Sequence, residues 1–405
     1  MRRFIPTVLA LCFAVTIYAQ TTSTAPRGFL LDAKQLQENK LLIQKNDPRL
    51  APAISKLEQD AKKALKSETY SVTSKGVTPP SGDKHDYMSQ APYFWPDPKS
   101  PNGLPYIRRD GERNPEINKI TDHHTLDQMI GAVETLALTY YFKGDEAYVA
   151  KAAQLLRAWF LDEATRMNPN LEYAQYVPGV NTGRGIGLIE THGLTRVVDA
   201  LGLLAGAKAW TVADQRGVQA WFTNFLQWMQ ESTNGQAEAA AKNNHGTIYD
   251  VQIVSYALLV GKRELATEVL KTAQKKRIAF QIEPDGRQPL ELARTKTWSY
   301  SRMNLNGMMQ LARLGENVGV DLWHFHTTDG RSIQGALDYL VPYARGEKKW
   351  PHDQLGEWEP NTLYPLMQLA AKKFEDKKYR EWLTKIPTAA DSDRSRLLMQ
   401  VSDKN

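Results

Sequence analysis

The chain reads as an all-α protein, a toroid of (α/α)n hairpins with n about six or seven, in one domain that carries a long N-terminal loop as a lid. Apolar residues recur at helical spacing through most of the chain beyond Ile120. The helices come in pairs joined by glycine-bearing turns, and the pairs follow one another at intervals of about 40 residues, as an array of helical hairpins requires. Strand signals are sparse, and the sequence has no glycine-rich phosphate loop, no Cys/His metal spacing and no Gly-x-Ser-x-Gly elbow. Nucleotide and zinc chemistry therefore have no footing, and neither a cofactor nor a metal is expected.

Arg2 and Arg3 precede an apolar run from Phe4 to Tyr18 that Ala19-Gln20 closes. This pattern predicts a signal peptide over 1–19 with Gln20 as the first mature residue, and the run is too short to span a bilayer. The single cysteine, Cys12, falls inside the run, with Leu11 where a lipoprotein signal needs a small residue. The mature chain then has neither thiol nor disulfide, which suits a large exported protein stabilised by its core. A periplasmic or secreted monomer is expected, free of the membrane once the signal is removed.

Residues 20–30 are rich in Thr, Ser, Pro and Gly and read as a flexible lead-in, and 31–405 as the catalytic domain. Two short helices are predicted between 32 and 67, split at Asp47-Pro48, the second with Ile54, Leu57, Ala61 and Leu65 on one face. Residues 70–120 are irregular and dense in Gly, Pro and Asp; Tyr87, Tyr93, Phe94 and Trp95 within them argue for an ordered, functional loop. Hairpins follow: 125–141 with 146–160, turned by Lys143-Gly144-Asp145 as glycine stop and aspartate N-cap; 186–204 with 212–229; 246–259 with 264–278; and a further helix from 300 to 314.

With 42% hydrophobic and 24% charged residues the bulk is neither membrane-embedded nor disordered. The formal charge of +6 becomes +4 once Arg2 and Arg3 are removed. A basic exported protein does not meet nucleic acid, so an acidic polysaccharide is the expected partner.

Two segments carry the chemistry. Asn243-Asn244-His245-Gly246 reads as a helix start, where free amides and the helix dipole favour an anion. Arg294 and Lys296 precede Trp298-Ser299-Tyr300-Ser301-Arg302, a polar, cationic setting expected to lower the Tyr300 phenol pKa. Together they supply an amide, an imidazole, a phenol and guanidiniums, the groups needed to remove a proton from carbon next to a carboxylate. Asn244, Arg294 and His245 would neutralise that carboxylate, with each preorganised donor contributing about 3–4 kcal/mol. Proton transfer by Tyr300 would add about 10²–10⁴-fold.

Asn244-His245, followed 55 residues after the histidine by Tyr300 with Arg294 upstream, resembles the helical alginate-lyase group of polysaccharide lyases. The likeness extends to Met167-Asn168-Pro169-Asn170-Leu171-Glu172-Tyr173-Ala174-Gln175 and Ala91-Pro92-Tyr93-Phe94-Trp95-Pro96-Asp97-Pro98, and within the group it is nearest to polysaccharide lyase family 38. The resemblance implies the helical toroid and β-elimination of 1,4-linked polyuronates, alginate or glucuronan. It implies Tyr300 as base and acid, Asn244 and His245 as the neutralising pair, and Arg294 as the nearby arginine.

Gln175, Trp95 and His192 are placed among substrate-binding candidates, while His123 and His124 read as capping and surface residues. Mannuronate and glucuronate share the relation of the C5 proton to the C4 oxygen and one tyrosine serves both, whereas guluronate needs a base from the other face. A glycoside hydrolase using two of Glu190, Asp250, Glu291 and Glu357, or a non-catalytic glycan-binding protein, stays open at this point.

Overall fold

The computed structural model describes residues 28–386 and 390–399. The signal-peptide segment and most of the lead-in lie outside the described residues. The observed elements are α1 (Ala33–Gln44), α2 (Ala51–Leu65), β1 (Met88–Gln90), β2 (Phe94–Trp95), β3 (Ile107–Arg108), α3 (Asp122–Lys143), α4 (Glu146–Phe160) and β4 (Tyr173–Tyr176). They continue with α5 (Leu194–Leu204), α6 (Val212–Glu231), α7 (Thr233–Ala239), α8 (Asn244–Leu259), α9 (Arg263–Ala273), α10 (Pro289–Leu292), α11 (Thr297–Gly315), α12 (Ile333–Ala344), α13 (Tyr364–Lys373), α14 (Lys378–Leu383) and α15 (Ser395–Leu398).

The helices form an α/α toroid. Along its inner wall α2 packs on α3, α3 on α5, α5 on α8 and α8 on α11. The helix after each of the last four, α4, α6, α9 and α12, stands outside. Local signals set these turns: Gly144 closes α3 in the left-handed region at φ 78° and the Asp145 carboxylate caps α4. Gly261, at φ 79°, turns α8 into α9. Thr211 and Asp214 form a reciprocal capping box at the start of α6.

Helix α8 is the axle of the site. Every residue of it except His245 is buried, as expected of a helix apolar on all sides and wrapped by neighbours. An aromatic cluster of Phe160, Trp221, Phe222, Phe225 and Tyr256 locks it to the outer ring.

Three observations depart from the sequence reading. The helix expected over 186–204 begins at Leu194; Gly185–Thr191 is a 3₁₀ segment. There a Cβ on Gly187 would lie 2.8 Å from the Ala174 backbone, an approach that only glycine allows. The long loop also contains strand structure, with β1 pairing parallel to β4 and β2 antiparallel to β3; strands of two to four residues are too short to show alternation. Finally, the last residues of the lead-in are fastened: the backbone amides of Phe29, Leu30 and Leu31 donate to the buried Asp199 carboxylate at 2.6–3.2 Å. Burial pushes Asp199 up to about 6 against these three amides.

The loop from 70 to 120 is pinned to the ring by a fully buried pair, Lys75 Nζ to Asp122 Oδ2 at 2.8 Å. Lys75 also donates to the carbonyls of Val72 and Lys84, and Asp122 accepts from the Met88 amide. Among the described residues no helix is long and apolar enough to cross a membrane.

Removing one member of such a pair strands the other charge in the interior. Lys75→Met is therefore expected to lower unfolding stability by about 3–5 kcal/mol, read as a shift of the denaturant midpoint at constant m-value.

Candidate active site

A cleft of about 1750 Å³ opens along the inner ring, walled by the long loop, α3, the 3₁₀ segment, α5, the start of α8 and α11. This exceeds what a single small molecule fills. Asn244, His245, Arg294, Tyr300, Gln175 and His192 all border it, so the fold brings together residues up to 125 positions apart.

Tyr300 lies on the first turn of α11 and is 9% exposed. Its hydroxyl receives a hydrogen bond from Arg294 Nη2 at 3.1 Å and donates to the Tyr93 hydroxyl at 3.1 Å. The Arg294 guanidinium also lies over the phenol ring, 4.1 Å from its centre. Arg294 is held in turn by Asp110, which accepts from Nε at 3.1 Å and Nη2 at 2.8 Å. These bonds hold the Asp110 carboxyl down at about 2. The lowered phenol pKa expected from the cationic setting is not what the structure has. Burial first, then the bond to Tyr93, raise Tyr300 above its ordinary value, and Arg294, half-neutralised by Asp110, opposes them only in part.

Asn243 caps α8 as the sequence predicts, its Oδ1 accepting from the His245 amide at 3.3 Å. The next amide is already spoken for. Asn244 donates its backbone N–H to Glu291 Oε1 and its side-chain Nδ2 to Glu291 Oε2, both at 2.6 Å. The anion at this helix start is thus an internal carboxylate, from α10, whose pKa burial raises. Asn244 itself is fully buried at the cleft wall. His245 is aimed differently: its Nδ1 lies 2.7 Å from Oε1 of the buried Glu238 on α7. A carboxylate only accepts, so Nδ1 carries the proton and Nε2 is left for the cleft.

The turn between α7 and α8 is clamped from behind. Arg277 sits in a π-helical turn, Gln274–Ala279, and makes a two-point bond with Asp250 at 2.7 and 3.1 Å. It donates further to the carbonyls of Ala241 and Ala239. Gly246 is required here, since a Cβ would lie 2.1 Å from the Ala241 carbonyl oxygen.

On the opposite wall Gln175 adopts the left-handed region at φ 48°, uncommon for a residue with a side chain. Its amide donates to Ser89 Oγ and its Oε1 accepts from Arg184 Nη2 at 2.8 Å. Ser89 and Tyr87 both donate to Glu190, which fixes this corner. Arg184 stacks over Phe94 at 4.8 Å, has no carboxylate partner among the described residues, and leaves its Nε buried and unbonded. Burial brings its pKa down to about 10.

His192 borders the cleft with Nε2 3.0 Å from Gln310 Oε1, and burial lowers its pKa, which favours the neutral ring. Trp95, a substrate-binding candidate from the sequence, is not among the residues that line the cleft. Its indole N–H is used on the Glu112 carbonyl and its ring is covered by Arg109, while its neighbours Tyr93 and Phe94 face the cleft instead. His123 and His124, read as capping and surface residues, also line it. Sequence reasoning missed Asp110, Arg184 and Glu238, and named Tyr93 only as a loop aromatic and Glu291 only as a hydrolase candidate. Only Arg184 left a local signal, between Gly183 and Gly185, where tight backbone is needed.

Of the four carboxylates considered for a hydrolase, Asp250 is occupied by Arg277, Glu291 by Asn244 and Glu190 by Tyr87 and Ser89, while Glu357 is exposed and does not border the cleft. Comparison with known proteins agrees with a different chemistry. The family model described as alginate lyase matches residues 71–350. The chain belongs to the alginate lyase family. It is a polysaccharide lyase.

The lyase is 41% identical to an alginate lyase from Bacteroides ovatus of known crystal structure, with a TM-score of 0.90, covering 93% of this chain and 100% of that one. The fold is shared with alginate lyase A1-III from Sphingomonas species A1, at 15% identity and a TM-score of 0.59, covering 94% and 98% of the two chains. It is shared also with a histidine-to-alanine variant of A1-III complexed with tetrasaccharide, at 15% identity and a TM-score of 0.61. No curated protein sequence matches the lyase.

Asp110→Ala should leave the fold intact and lower kcat/KM about 10²-fold, the scale on which a misplaced catalytic group costs rate; steady-state kinetics beside circular dichroism of the same preparation checks this.

Proposed function

We propose that the protein is an exported lyase that cleaves 1,4-linked polyuronates, alginate and in particular its mannuronate-rich stretches, with glucuronan as a further substrate, by β-elimination. The observation that carries this reading is the convergence on one hydroxyl: Tyr300 Oη meets Arg294 and Tyr93 at 3.1 Å, in a cleft lined by arginines that the His245 imidazole also borders. The alginate lyases it resembles, one of them holding a tetrasaccharide, support the substrate class.

In the proposed reaction the Tyr300 phenolate takes the C5 proton of the uronate. The C5–H electrons form the C4=C5 double bond, the C4–O bond breaks, and the phenol so formed returns its proton to the departing O4. The same group serves as base and acid because proton and leaving oxygen lie on one side of a mannuronate or glucuronate ring. Charge accumulates on the uronate carboxylate as C5 loses its proton. Arg294 is the donor available to it, joined by His245 in its imidazolium form, whose Nε2–H then donates while Nδ1–H stays on Glu238, and Asn244 shapes the wall behind them. Glu238 keeps the His245 ring oriented. Arg184, held by Gln175, provides a second positive site for a carboxylate along the chain, and the loop that brings Tyr93 and Phe94 acts as a lid.

The raised phenol pKa gives the pH dependence its sign. The base form of Tyr300 becomes more populated as pH rises toward its pKa, so kcat/KM should climb from neutral to alkaline pH while the fold persists. A profile that falls over that range would contradict Tyr300 as base.

The direct test follows absorbance of the C4–C5 unsaturated uronate on polymannuronate, polyguluronate and glucuronan. Tyr300→Phe should lose about 10²–10⁴-fold in rate and still bind polymer; retained turnover would remove Tyr300 from this role. N-terminal sequencing of the exported protein should begin at Gln20.

A further inference from the structure

Glu291 is a buried carboxylate with no cation bonded to it among the described residues, and both of its oxygens are engaged by one residue. Oε1 accepts the Asn244 backbone N–H and Oε2 the side-chain Nδ2, each at 2.6 Å. Arg294 and His245 act on it only from beyond bonding distance. Because a carboxylate only accepts, the Asn244 amide is turned with its nitrogen toward Glu291. The atom left over, Oδ1, is buried without a partner, and it too only accepts. Asn244 borders the cleft with none of its surface exposed. It therefore offers a charged uronate carboxylate no hydrogen to bind.

The same contact closes a circuit of buried amides. Asn304 on α11 donates to Gln281 and to Gln288, both at 2.8 Å. Gln281 donates to the carbonyl of Asn243, next to Asn244, at 3.4 Å. Gln288 donates to the Ser301 carbonyl at 3.0 Å and leads directly into α10, where the Glu291 carbonyl accepts from the Arg294 amide. Glu291 thus ties the start of α8, with His245, to the turn that carries Arg294 and Tyr300.

We infer that Asn244 and Glu291 are a pair of positioning residues that set the His245 imidazole against Arg294 and Tyr300, and that Asn244 does not itself neutralise the substrate. The inference rests on the lyase reading above and changes the part Asn244 plays in it. Withdrawing either donor leaves the Glu291 charge in low dielectric with half its partners, and a charge-assisted bond at 2.6 Å tolerates little displacement. Asn244 is followed directly by His245, and Glu291 stands three residues before Arg294, so a shift of this contact moves both groups. Misplacing such groups by about 1 Å costs about 10²-fold in rate. Asparagine is the residue that fits: aspartate would set two carboxylates face to face, and leucine would leave Oε2 unmet.

The test exchanges the two groups in the mature protein. Asn244→Asp alone puts a second carboxylate against Glu291. Combined with Glu291→Gln it restores a donor facing an acceptor and keeps an oxygen for the backbone N–H at position 244. Both variants present the same side chain to the cleft, so a difference between them comes through position 291. Elimination is followed on polymannuronate at alkaline pH, where a proton shared by the facing carboxylates is lost, beside circular dichroism of the same preparations. Asn244→Asp should lose about 10²-fold in kcat with KM within about threefold, and the combined variant should regain about tenfold or more. A combined variant no faster than Asn244→Asp overturns the inference, since a residue that donates to the substrate fails as aspartate whatever its partner. So does Asn244→Asp at the wild-type rate. Where Asn244→Asp does not fold, Asn244→Leu is the reference, and the combined variant must exceed it by the same factor or the inference falls. If the wild-type protein makes no absorbing product from any polyuronate, the lyase reading fails by itself. The ring-nitrogen NMR resonances of His245, assigned by their loss in His245→Gln, then judge the pair. Displacement in the single variant that the combined variant reverses upholds it; resonances that do not move, or do not return, overturn it.

Discussion

The bond between Asp110 and Arg294 joins the two halves of the site. Asp110 belongs to the long loop that also delivers Tyr93 and Phe94, and Arg294 to the turn that leads into Tyr300. One carboxylate accepts from Arg294 at two atoms and from the Thr295 hydroxyl, and Gly111 beside it lies so near Thr295 that a side chain would collide. The loop therefore sits against the α11 start in a single register, and Tyr93 reaches Tyr300 as a result. The same bond sets the electrostatics, because an arginine shared with Asp110 lowers the phenol pKa less than a free one would.

Behind this contact the site is stiffened by buried polar pairs rather than by side-chain packing alone. Glu291 holds Asn244, Glu238 holds His245, and Arg277 holds both Asp250 and the chain that leads into α8. Each is a charge in the interior that tolerates only one geometry, since a displaced partner leaves an unmet group in low dielectric. Helix α8, buried along all but one residue, gives these pairs a fixed base. His245 is its one side chain directed outward, and it is directed into the cleft.

The cleft itself is asymmetric in charge. Of the carboxylates that border it, Glu134, Glu190 and Asp199 are bound within the protein and Asp127 is exposed, whereas Arg184 keeps guanidinium surface without an anionic partner among the described residues. A wall of this kind is complementary to a polyanion and raises its local concentration.

The pairing of the Asn244-His245 helix start with Tyr300 rested on the resemblance to alginate lyases, whereas the helical ring and most of its turns were legible in the residues themselves. These follow from local rules: apolar spacing fixes the buried face of each helix, and glycine and aspartate fix where helices stop and start. Arg294 was legible for the same reason, being close to Tyr300 along the chain. Tertiary structure alone decided the rest. Glu238, Glu291, Asp110 and Tyr93 matter through partners 7, 47, 184 and 207 positions away, and no local pattern encodes such contacts. Trp95 and Phe94 are adjacent aromatics in one short strand, and only the placement of Arg109 and Arg184 determined which ring met the cleft. The phenol pKa was misjudged for the same physical reason. Neighbouring cations can be read along a chain, but burial, which outweighs them at Tyr300, exists only once the ring has closed around it.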